Sequence, residues 1–294
     1  MLMNNKLKGS LSLLFATVIW GSAFIAQSVG MDYIGPFTFQ AIRCGLAVIF
    51  LFFLSFLFDR GNLRVFVEKW RNPRLWVTGG ICGAALFVAA SLQQVGLVDT
   101  DAGKAGFLTA MYIVLVPILG LFLGRKISVA ALCSVVLAVG GLYLLSFAGV
   151  PEINPGDLLL MGCALAFAVQ ITLIDRFAGE MDGLRLNCVQ SLVVTLLSLP
   201  FVALTETVAA ANILACWESL AFAGILSMGV AYSLQIVGQK HLEPTSASLI
   251  MSLESVFAAL GGWLILKERM TVWELLGSAL VFCAVILSQI PTKK

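Results

Sequence analysis

The chain has 294 residues, of which 60% are hydrophobic and 12% charged, and its mean hydropathy is +1.00. Soluble domains carry roughly 25% charged residues, so this composition excludes a soluble globular domain. It also excludes a disordered protein, because disorder requires low hydrophobicity and high charge. The net charge of +2 lacks the basic excess of a nucleic-acid-binding protein, and we expect no nucleic-acid partner.

Apolar segments fill most of the chain. A membrane helix needs about 20 largely apolar residues, and ten segments meet this length. The gaps carry turn-forming residues such as Pro36, Pro73, Pro155 and Pro244, and none has room for a soluble domain. The longest gap, 59–74, is basic and predicts a surface segment. The sequence therefore predicts an all-α integral membrane protein with ten transmembrane helices, at 8–28, 36–58, 75–97, 103–123, 127–147, 156–175, 184–205, 217–238, 244–266 and 271–290.

Lysine and arginine predict the orientation of these helices, because positively charged loops stay in the cytoplasm. With the N-terminus inside, 14 of the 18 basic residues lie on the cytoplasmic side. Lys104, Lys267 and Arg269 lie outside, and Arg43 lies within the second helix. We therefore expect a multi-pass protein of the cytoplasmic (inner) membrane, with both termini in the cytoplasm.

The chain also repeats itself. Residues 91–96 (SLQQVG) match residues 233–238 (SLQIVG), 142 positions later. Three single matches lie 147 positions apart: Gly9 with Gly156, Trp20 with Phe167, and Arg43 with Gln190. Two repeats of five helices, 1–148 and 149–294, account for both offsets. Since five is odd, the second repeat is inverted, which is typical of alternating-access transporters with a central substrate cavity near the midplane.

Two formal charges, Arg43 and Glu254, lie deep in the predicted spans, where each is costly unless it faces a cavity or a partner. Arg43 either recognises a carboxylate or caps backbone carbonyls. Glu254 either carries a proton as a coupling site or hydrogen-bonds within the helix packing. Lys104, at the mouth of its helix, is expected to extend towards the headgroups.

Neutral polar and aromatic side chains recur in the same helices. Buried amides in a membrane face protein or water, so they either join helices or line a cavity. As a set they favour a polar and aromatic binding cavity that suits a zwitterionic or aromatic metabolite. The predicted substrate-binding residues are Trp20, Arg43, Gln93, Tyr112, Gln170, Tyr232 and Gln235, with Glu254 as the predicted coupling residue.

Catalytic, metal and cofactor signatures are missing from the sequence. It has a single histidine, His241, and no Walker loop or zincin motif. The seven cysteines form no C-x-x-C pair, so neither a zinc site nor a disulfide framework is predicted. We expect no enzyme, no catalytic residues, no metal and no cofactor.

Prolines and glycines inside the spans predict local geometry. Pro117 and Pro200 are expected to kink their helices. Glycine pairs such as Gly140–Gly141 are expected to allow close helix contact.

Several segments carry a family resemblance over essentially the whole chain. The opening 19–24 (IWGSAF), Pro36 followed by 43–47 (RCGLA), and 252–260 (SLESVFAAL) with 266–271 (LKERMT) resemble the ten-helix EamA-type branch of the drug/metabolite transporter superfamily. Two positions depart from the family pattern. Ser255 stands where the family usually has proline, and 124–126 (GRK) has no acid to match Glu268.

The resemblance implies a secondary transporter of small organic solutes that works by alternating access, often an exporter of amino acids or related metabolites. The expected partners are a small-molecule substrate, membrane lipid and protons as a coupling ion, and both a monomer and a homodimer stay open. The alternative is a multidrug or cation exporter of the same fold. A membrane enzyme or scaffold is a more remote alternative.

Overall fold

The computed structural model describes residues 2–100, 102–146, 154–179, 181–265 and 271–289. These residues form helices and connecting turns, and no strand occurs among them. The predicted boundary between 148 and 149 and the segment containing Lys267, Glu268 and Arg269 lie outside the described residues.

Fifteen α-helices and one π-helix follow one another along these ranges. Every predicted span contains helix. The helices are α1 (Leu2–Met31), α2 (Pro36–Phe58), α3 (Leu63–Trp70), α4 (Pro73–Asp99), α5 (Ala102–Ala110), α6 (Tyr112–Phe122), α7 (Val129–Ser146), α8 (Pro155–Phe177), α9 (Gly183–Thr205), α10 (Ala210–Ala215), α11 (Trp217–Ala221), the π-helix (Phe222–Ala231), α12 (Tyr232–Gln239), α13 (Pro244–Met251), α14 (Leu253–Ile265) and α15 (Val272–Gln289).

Seven helical stretches in the described part of the chain are long and apolar enough to cross a membrane. Two shorter apolar helices, Val129–Leu144 and Val272–Ser288, accompany them. The predicted all-α membrane fold is therefore confirmed, and the count of ten crossings stays a prediction. The seven stretches are Asn5–Met31, Pro36–Phe58, Pro73–Asp99, Lys104–Phe122, Pro155–Phe177, Gly183–Thr205 and Trp217–Gln239.

Two predicted spans are interrupted near their middles. The predicted helix 103–123 divides at Met111 and the predicted helix 244–266 divides at Ser252. At both points the backbone turns more tightly, since Val114 N–H donates to the Met111 carbonyl (3.0 Å) and Ser255 N–H donates to the Ser252 carbonyl (3.2 Å). Such i→i−3 bonds are typical of 3₁₀ turns. Pro117 lies inside α6, six residues after the interruption at Met111, and its predicted kink stays a prediction.

A π-helix replaces part of the predicted span 217–238. The turns of a π-helix are wider than those of an α-helix, so the usual i→i−4 hydrogen bonds are disturbed. Some of its carbonyls accept hydrogen bonds from side chains instead. The amide nitrogen of Asn187, on α9, donates to the carbonyls of Met228 (2.8 Å) and Gly229 (2.9 Å). Asn187 therefore joins helices, one of the two roles that the sequence left open for buried amides.

The basic segment 59–74 holds the short helix α3. Asn62 caps it, because its side-chain oxygen accepts the N–H groups of Arg64 (3.1 Å) and Val65 (3.3 Å). Phe66 is its buried side chain and lies edge-on against the ring of Phe52 on α2, with the centroids 5.2 Å apart. The predicted surface segment is thus a helix packed onto the bundle.

Charged groups at the helix ends are more buried than the sequence suggested. Asp59, just after the predicted helix 36–58, and Arg185, at the start of the predicted helix 184–205, form an ion pair whose side chains are 1% and 2% exposed. Burial alone would raise the pKa of the Asp59 carboxyl, but the hydrogen bond from Lys69 and the charge of Arg185 hold that pKa below its ordinary value. Lys104 does not extend freely to the headgroups, because its Nζ pairs with Asp157 Oδ2 at 2.6 Å.

Glycines bring helices into close contact, as predicted. A Cβ at Gly141 on α7 would lie 2.7 Å from the carbonyl oxygen of Gly277 and 2.9 Å from Cβ of Leu280, both on α15. A Cβ at the adjacent Gly140 would meet nothing within 4 Å. The α7–α15 contact therefore depends on the missing side chain at Gly141.

We predict that Gly141→Ala lowers the free energy of unfolding by about 1–3 kcal/mol, because the added methyl group has to push α7 away from α15. Gly140→Ala serves as the matched control and should leave stability close to that of the native chain. Thermal unfolding of the detergent-purified proteins measures both effects. Equal melting temperatures for the two variants would contradict the packing argument.

Candidate functional site: a polar and aromatic cavity in the bundle

A cavity lies inside the helix bundle and is lined by side chains from several helices. Most of its lining is apolar or aromatic, and a small number of polar side chains project into it. The lining residues are Trp20, Ala23, Phe24, Gln27, Arg43, Gln93, Thr109, Tyr112, Phe167, Ile171, Ser227, Met228, Tyr232, Gln235, Met251 and Glu254.

Seven of the eight predicted site residues lie on this lining: Trp20, Arg43, Gln93, Tyr112, Tyr232, Gln235 and Glu254. The eighth, Gln170, lies behind it. Gln170 is fully buried, and its Oε1 accepts a hydrogen bond from Nε2 of Gln235 at 3.2 Å. Gln170 therefore orients a lining amide and does not itself line the cavity.

Arg43 reaches the cavity from the middle of α2 and is 3% exposed. One of its terminal nitrogens donates to Oε1 of Gln27 on α1. The Gln27 amide nitrogen donates to the Ala23 carbonyl at 3.1 Å, which turns the Gln27 oxygen towards the guanidinium. The Nε of Arg43 has no hydrogen-bond partner among the described residues. Arg43 is therefore held in place and still has a donor to offer.

Glu254 enters the cavity from the first turn of α14, directly after the interruption at Ser252. The start of a helix favours a negative charge, because its backbone N–H groups carry partial positive charge. The hydroxyl of Tyr112, in the first turn of α6, donates to Glu254 Oε1 at 3.0 Å. The two interrupted helices thus meet through this hydrogen bond.

Ser255, where the family pattern has proline, makes a contact that proline cannot make. Its hydroxyl donates to the carbonyl of Gly106 on α5 at 2.9 Å. This bond ties the start of α14 to α5, next to the carboxyl of Glu254. The departure from the pattern therefore comes with a hydrogen bond that helps to fix the helix carrying the acid.

Aromatic rings form one wall of the cavity. Trp20 on α1 lies edge-on against Tyr232 on α12, with the centroids 5.0 Å apart. The indole Nε1 of Trp20 is buried and has no hydrogen-bond partner within the described part of the chain. A buried N–H donor without a protein acceptor is uncommon, and Trp20 Nε1 is one that lies on the cavity lining.

The chemistry of the lining is that of a binding site. It presents a guanidinium, a carboxyl group, three amides and several aromatic rings, which together can hold a molecule with both charged and apolar parts. Among the described residues, no group of three or more histidine, cysteine, aspartate or glutamate side chains could hold a metal ion.

Sequence reasoning missed several lining residues, among them Thr109, Ser227, Met228 and Met251. A signal for some of them was present. Met251 lies 142 residues after Thr109, the offset of the internal repeat, and each is close to the interruption in its own span. Ser227 and Met228 gave no such signal, because the π-helix that carries them was not expected.

Tyr112 and Glu254 should be energetically coupled, because each supplies one end of the same buried hydrogen bond. We predict that the Tyr112→Phe and Glu254→Gln substitutions are non-additive by about 1 kcal/mol in a double-mutant cycle of unfolding free energies. Tyr33→Phe combined with Glu254→Gln is the control, since Tyr33 is exposed and should give additive effects. Additivity in both cycles would show that the hydrogen bond contributes nothing.

Comparison with known proteins identifies the family of the chain. Residues 7–147 and 154–289 match the model of the EamA-like transporter family. An uncharacterised transporter of Archaeoglobus fulgidus is 33% identical over 285 residues, covering 96% of this chain and 86% of the relative. The threonine/homoserine exporter RhtA of Escherichia coli is 29% identical, covering 94% of this chain and 89% of the relative.

A solved crystal structure shares the fold, with a TM-score of 0.79, 18% identity and coverage of 96% of both chains. The family match spans nearly the whole chain, and the A. fulgidus relative has the same extent. The chain therefore belongs to the EamA-like transporter family and is a multi-pass membrane transporter.

Proposed function

We propose that the protein exports amino acids or closely related small zwitterions by alternating access. The observation that carries this proposal is that Arg43 and Glu254 line one cavity. A guanidinium can bind a substrate carboxylate through its planar N–H donors, and the carboxyl of Glu254 can accept hydrogen bonds from a substrate ammonium group. Trp20 and Tyr232 then contact the apolar part of the substrate.

The unpartnered donors support the carboxylate end of this assignment. Nε of Arg43 and Nε1 of Trp20 are both buried on the lining and lack acceptors among the described residues. A substrate carboxylate has two oxygens able to accept them. The E. coli relative is named a threonine/homoserine exporter, which supports the same class of substrate.

We further propose that 1–148 and 149–294 are inverted repeats and that the cavity lies on the axis relating them. The lining supports this, because five pairs of lining residues stand at the offsets of the internal repeat. Residues on such an axis contact their own counterparts, as Tyr112 and Glu254 do at a separation of 142 positions. The five pairs are Trp20 with Phe167, Phe24 with Ile171, Gln93 with Gln235, Thr109 with Met251, and Tyr112 with Glu254.

Close glycine contacts between helices support the same division. A Cβ at Gly9 would lie 3.0 Å from the carbonyl oxygen of Gly238, which packs α1 against α12. A Cβ at Gly96 would lie 2.9 Å from the carbonyl oxygen of Gly156, which packs α4 against α8. Gly156 stands 147 residues after Gly9, and Gly238 stands 142 residues after Gly96. The two contacts therefore join corresponding positions of the two proposed repeats.

A hydrogen bond from an amide to a serine hydroxyl also occurs at corresponding positions in the two proposed repeats. Gln40 Nε2 on α2 donates to Ser91 Oγ on α4 at 2.9 Å, and Asn187 Nδ2 on α9 donates to Ser233 Oγ on α12 at 2.9 Å. Gln40 and Asn187 stand 147 residues apart, and the two serines stand 142 residues apart. Arg43 departs from this symmetry, because its counterpart Gln190 is not on the lining.

The excess of lysine and arginine in the predicted inner loops supports an inner-membrane location with both termini in the cytoplasm.

Glu254 is the proposed proton-coupling residue, since it is the acid on the lining and can exchange its proton when substrate enters. A cation exporter is the second candidate, because the same acid and the Trp20 and Tyr232 rings can hold an organic cation. The guanidinium of Arg43 repels such a substrate.

Reconstituted vesicles loaded with radiolabelled threonine test the substrate class. We predict threonine flux that Arg43→Gln weakens through loss of about 2 kcal/mol of charge-assisted binding, or roughly thirtyfold in affinity. Glu254→Gln should remove the dependence of flux on a pH gradient. Arg64→Gln and Glu218→Gln are matched controls, because both side chains are exposed and distant from the lining.

The outcomes separate the two candidates. The same assay is run with quaternary ammonium ions in place of threonine. If Glu254→Gln abolishes that flux and Arg43→Gln leaves it unchanged, the cation exporter replaces the amino-acid exporter. Threonine flux whose pH dependence survives Glu254→Gln would retain the substrate class and reject the coupling role.

A further inference from the structure

The start of α2 is bound by an acid from the end of α9. Glu206, the residue that follows α9, accepts the backbone N–H groups of Phe37 and Thr38 at 2.8 Å each and the hydroxyl of Thr38 at 2.6 Å. Gly35 makes room for it, since a Cβ there would lie 2.2 Å from the carboxyl carbon of Glu206. This group is the Glu206 contact.

The start of α9 is bound by an acid from the end of α2. Asp59, the residue that follows α2, forms an ion pair with Arg185 in the first turn of α9. Asp182, the N-cap of α9, pairs with the same guanidinium. Arg185 is the largest of the fully buried side chains and lies over the rings of Phe66 and Trp70. This group is the Asp59 contact.

The two contacts correspond to each other in the repeat. Glu206 stands 147 residues after Asp59, and Arg185 stands 147 residues after Thr38. The acid after each helix therefore binds the same position in the first turn of the other. Because α2 has 23 residues, the two contacts lie about 35 Å apart, at opposite ends of an antiparallel helix pair.

Contacts between α2 and α9 continue between these ends. Gln40 Nε2 donates to Ser198 Oγ at 3.1 Å, and the Cys188 thiol donates to the Val48 carbonyl at 3.6 Å. Near the middle, a Cβ at Gly45 would lie 3.9 Å from Cγ2 of Thr195. The pair is thus joined along its whole length, and Arg43 stands within the joined part.

A contact that serves as a gate opens on one membrane face while its counterpart is closed on the other. Here both contacts are closed in one conformation. Opening the Asp59 contact would also break the ion pair between the buried side chains of Asp59 and Arg185, leaving only Lys69 and Asp182 as their partners, which is unfavourable. These features are typical of a joint that stays closed.

We propose that Asp59 and Glu206 are positioning residues that hold α2 and α9 together as one rigid pair throughout the transport cycle, so that Arg43 keeps its place on the lining while other helices move. The proposal rests on alternating access, as proposed above. It assigns both acids to a static part of the transporter and makes neither of them a gate.

A disulfide across the pair tests this directly. Gly45→Cys with Thr195→Cys places two thiols face to face near the middle of the pair, where a Cβ at Gly45 would lie 3.9 Å from Cγ2 of Thr195, and the two single variants, oxidised identically, control for the native cysteines. We expect the oxidised double variant, with its disulfide verified by mass spectrometry, to carry labelled threonine within about twofold of the reduced protein, since the rigid pair does not separate. Loss of flux on oxidation with recovery on reduction would overturn the proposal.

The acids are tested by Glu206→Gln, by Gly35→Ala, which displaces Glu206 sterically, and by Asp59→Asn. Each should lower threonine flux about tenfold, because a displacement of about 1 Å misplaces Arg43. The disulfide between the cysteine variants at 45 and 195 should restore most of that flux. If oxidation does not restore flux in any of the three variants, the positioning role is wrong.

The rate at which this disulfide forms needs no substrate. Under a mild oxidant, we expect the combined Asp59→Asn and Glu206→Gln variant to form it more slowly than the native background, since the pair has loosened. Equal rates would overturn the proposal even if the protein proves not to carry threonine. Conversely, absent threonine flux in the native chain with slowed disulfide formation in the variant would reject the substrate and keep the rigid pair.

Discussion

The shortage of hydrogen-bond partners inside an apolar bundle is the constraint on which the rest of this structure depends. Lipid offers no alternative to a protein donor or acceptor, so every buried polar group has to be satisfied by another part of the chain. The amide of Asn187 donates hydrogen bonds to two carbonyls of the π-helix, and the side-chain oxygen of Gln27 accepts one from Arg43. Because such bonds cross between helices, they also determine which helices are neighbours.

Some buried polar groups stay without a partner among the described residues, and they lie both on the cavity lining and elsewhere, as Trp70 Nε1 and Arg185 Nε do. Nε of Arg43 and Nε1 of Trp20 are buried donors whose acceptors are missing among the described residues. The two donors on the lining stand where a solute can supply the acceptor, which is the part of this pattern that bears on the site.

Departures from the proposed repeat are informative because several contacts and lining residues stand at its offsets. The lining contains five corresponding pairs, yet Arg43 is on it without Gln190, and the π-helix has no counterpart in α4. In alternating access two repeats exchange conformations, which corresponding residues in both repeats allow. Recognition of an asymmetric molecule, in contrast, needs different chemical groups on the two sides of the cavity. Tyr112 and Glu254 combine both needs, being corresponding residues of different chemistry in contact.

A large part of the site could be predicted from the sequence, because a polar group within an apolar run is conspicuous and costly. That argument identified seven residues that the structure brings to one cavity. It failed for Thr109 and Met228, since small polar and apolar residues carry no such signal in a membrane segment. It also placed Gln170 on the lining, because spacing along a helix does not say whether an amide faces a cavity or another amide.

By itself, the sequence determined the all-α membrane class, the segments that form helices and the internal offsets, since these depend on composition and local order along the chain. The tertiary structure decided what depends on distant partners. It buried the ion pair of Asp59 and Arg185, which stand next to the ends of two predicted helices, and it paired Lys104 with Asp157. It also placed interruptions at Met111 and Ser252, where the sequence predicted continuous helices. The reason is that the energy of a charge or a turn in a membrane protein depends on which groups surround it, and those groups come from helices far apart in the chain.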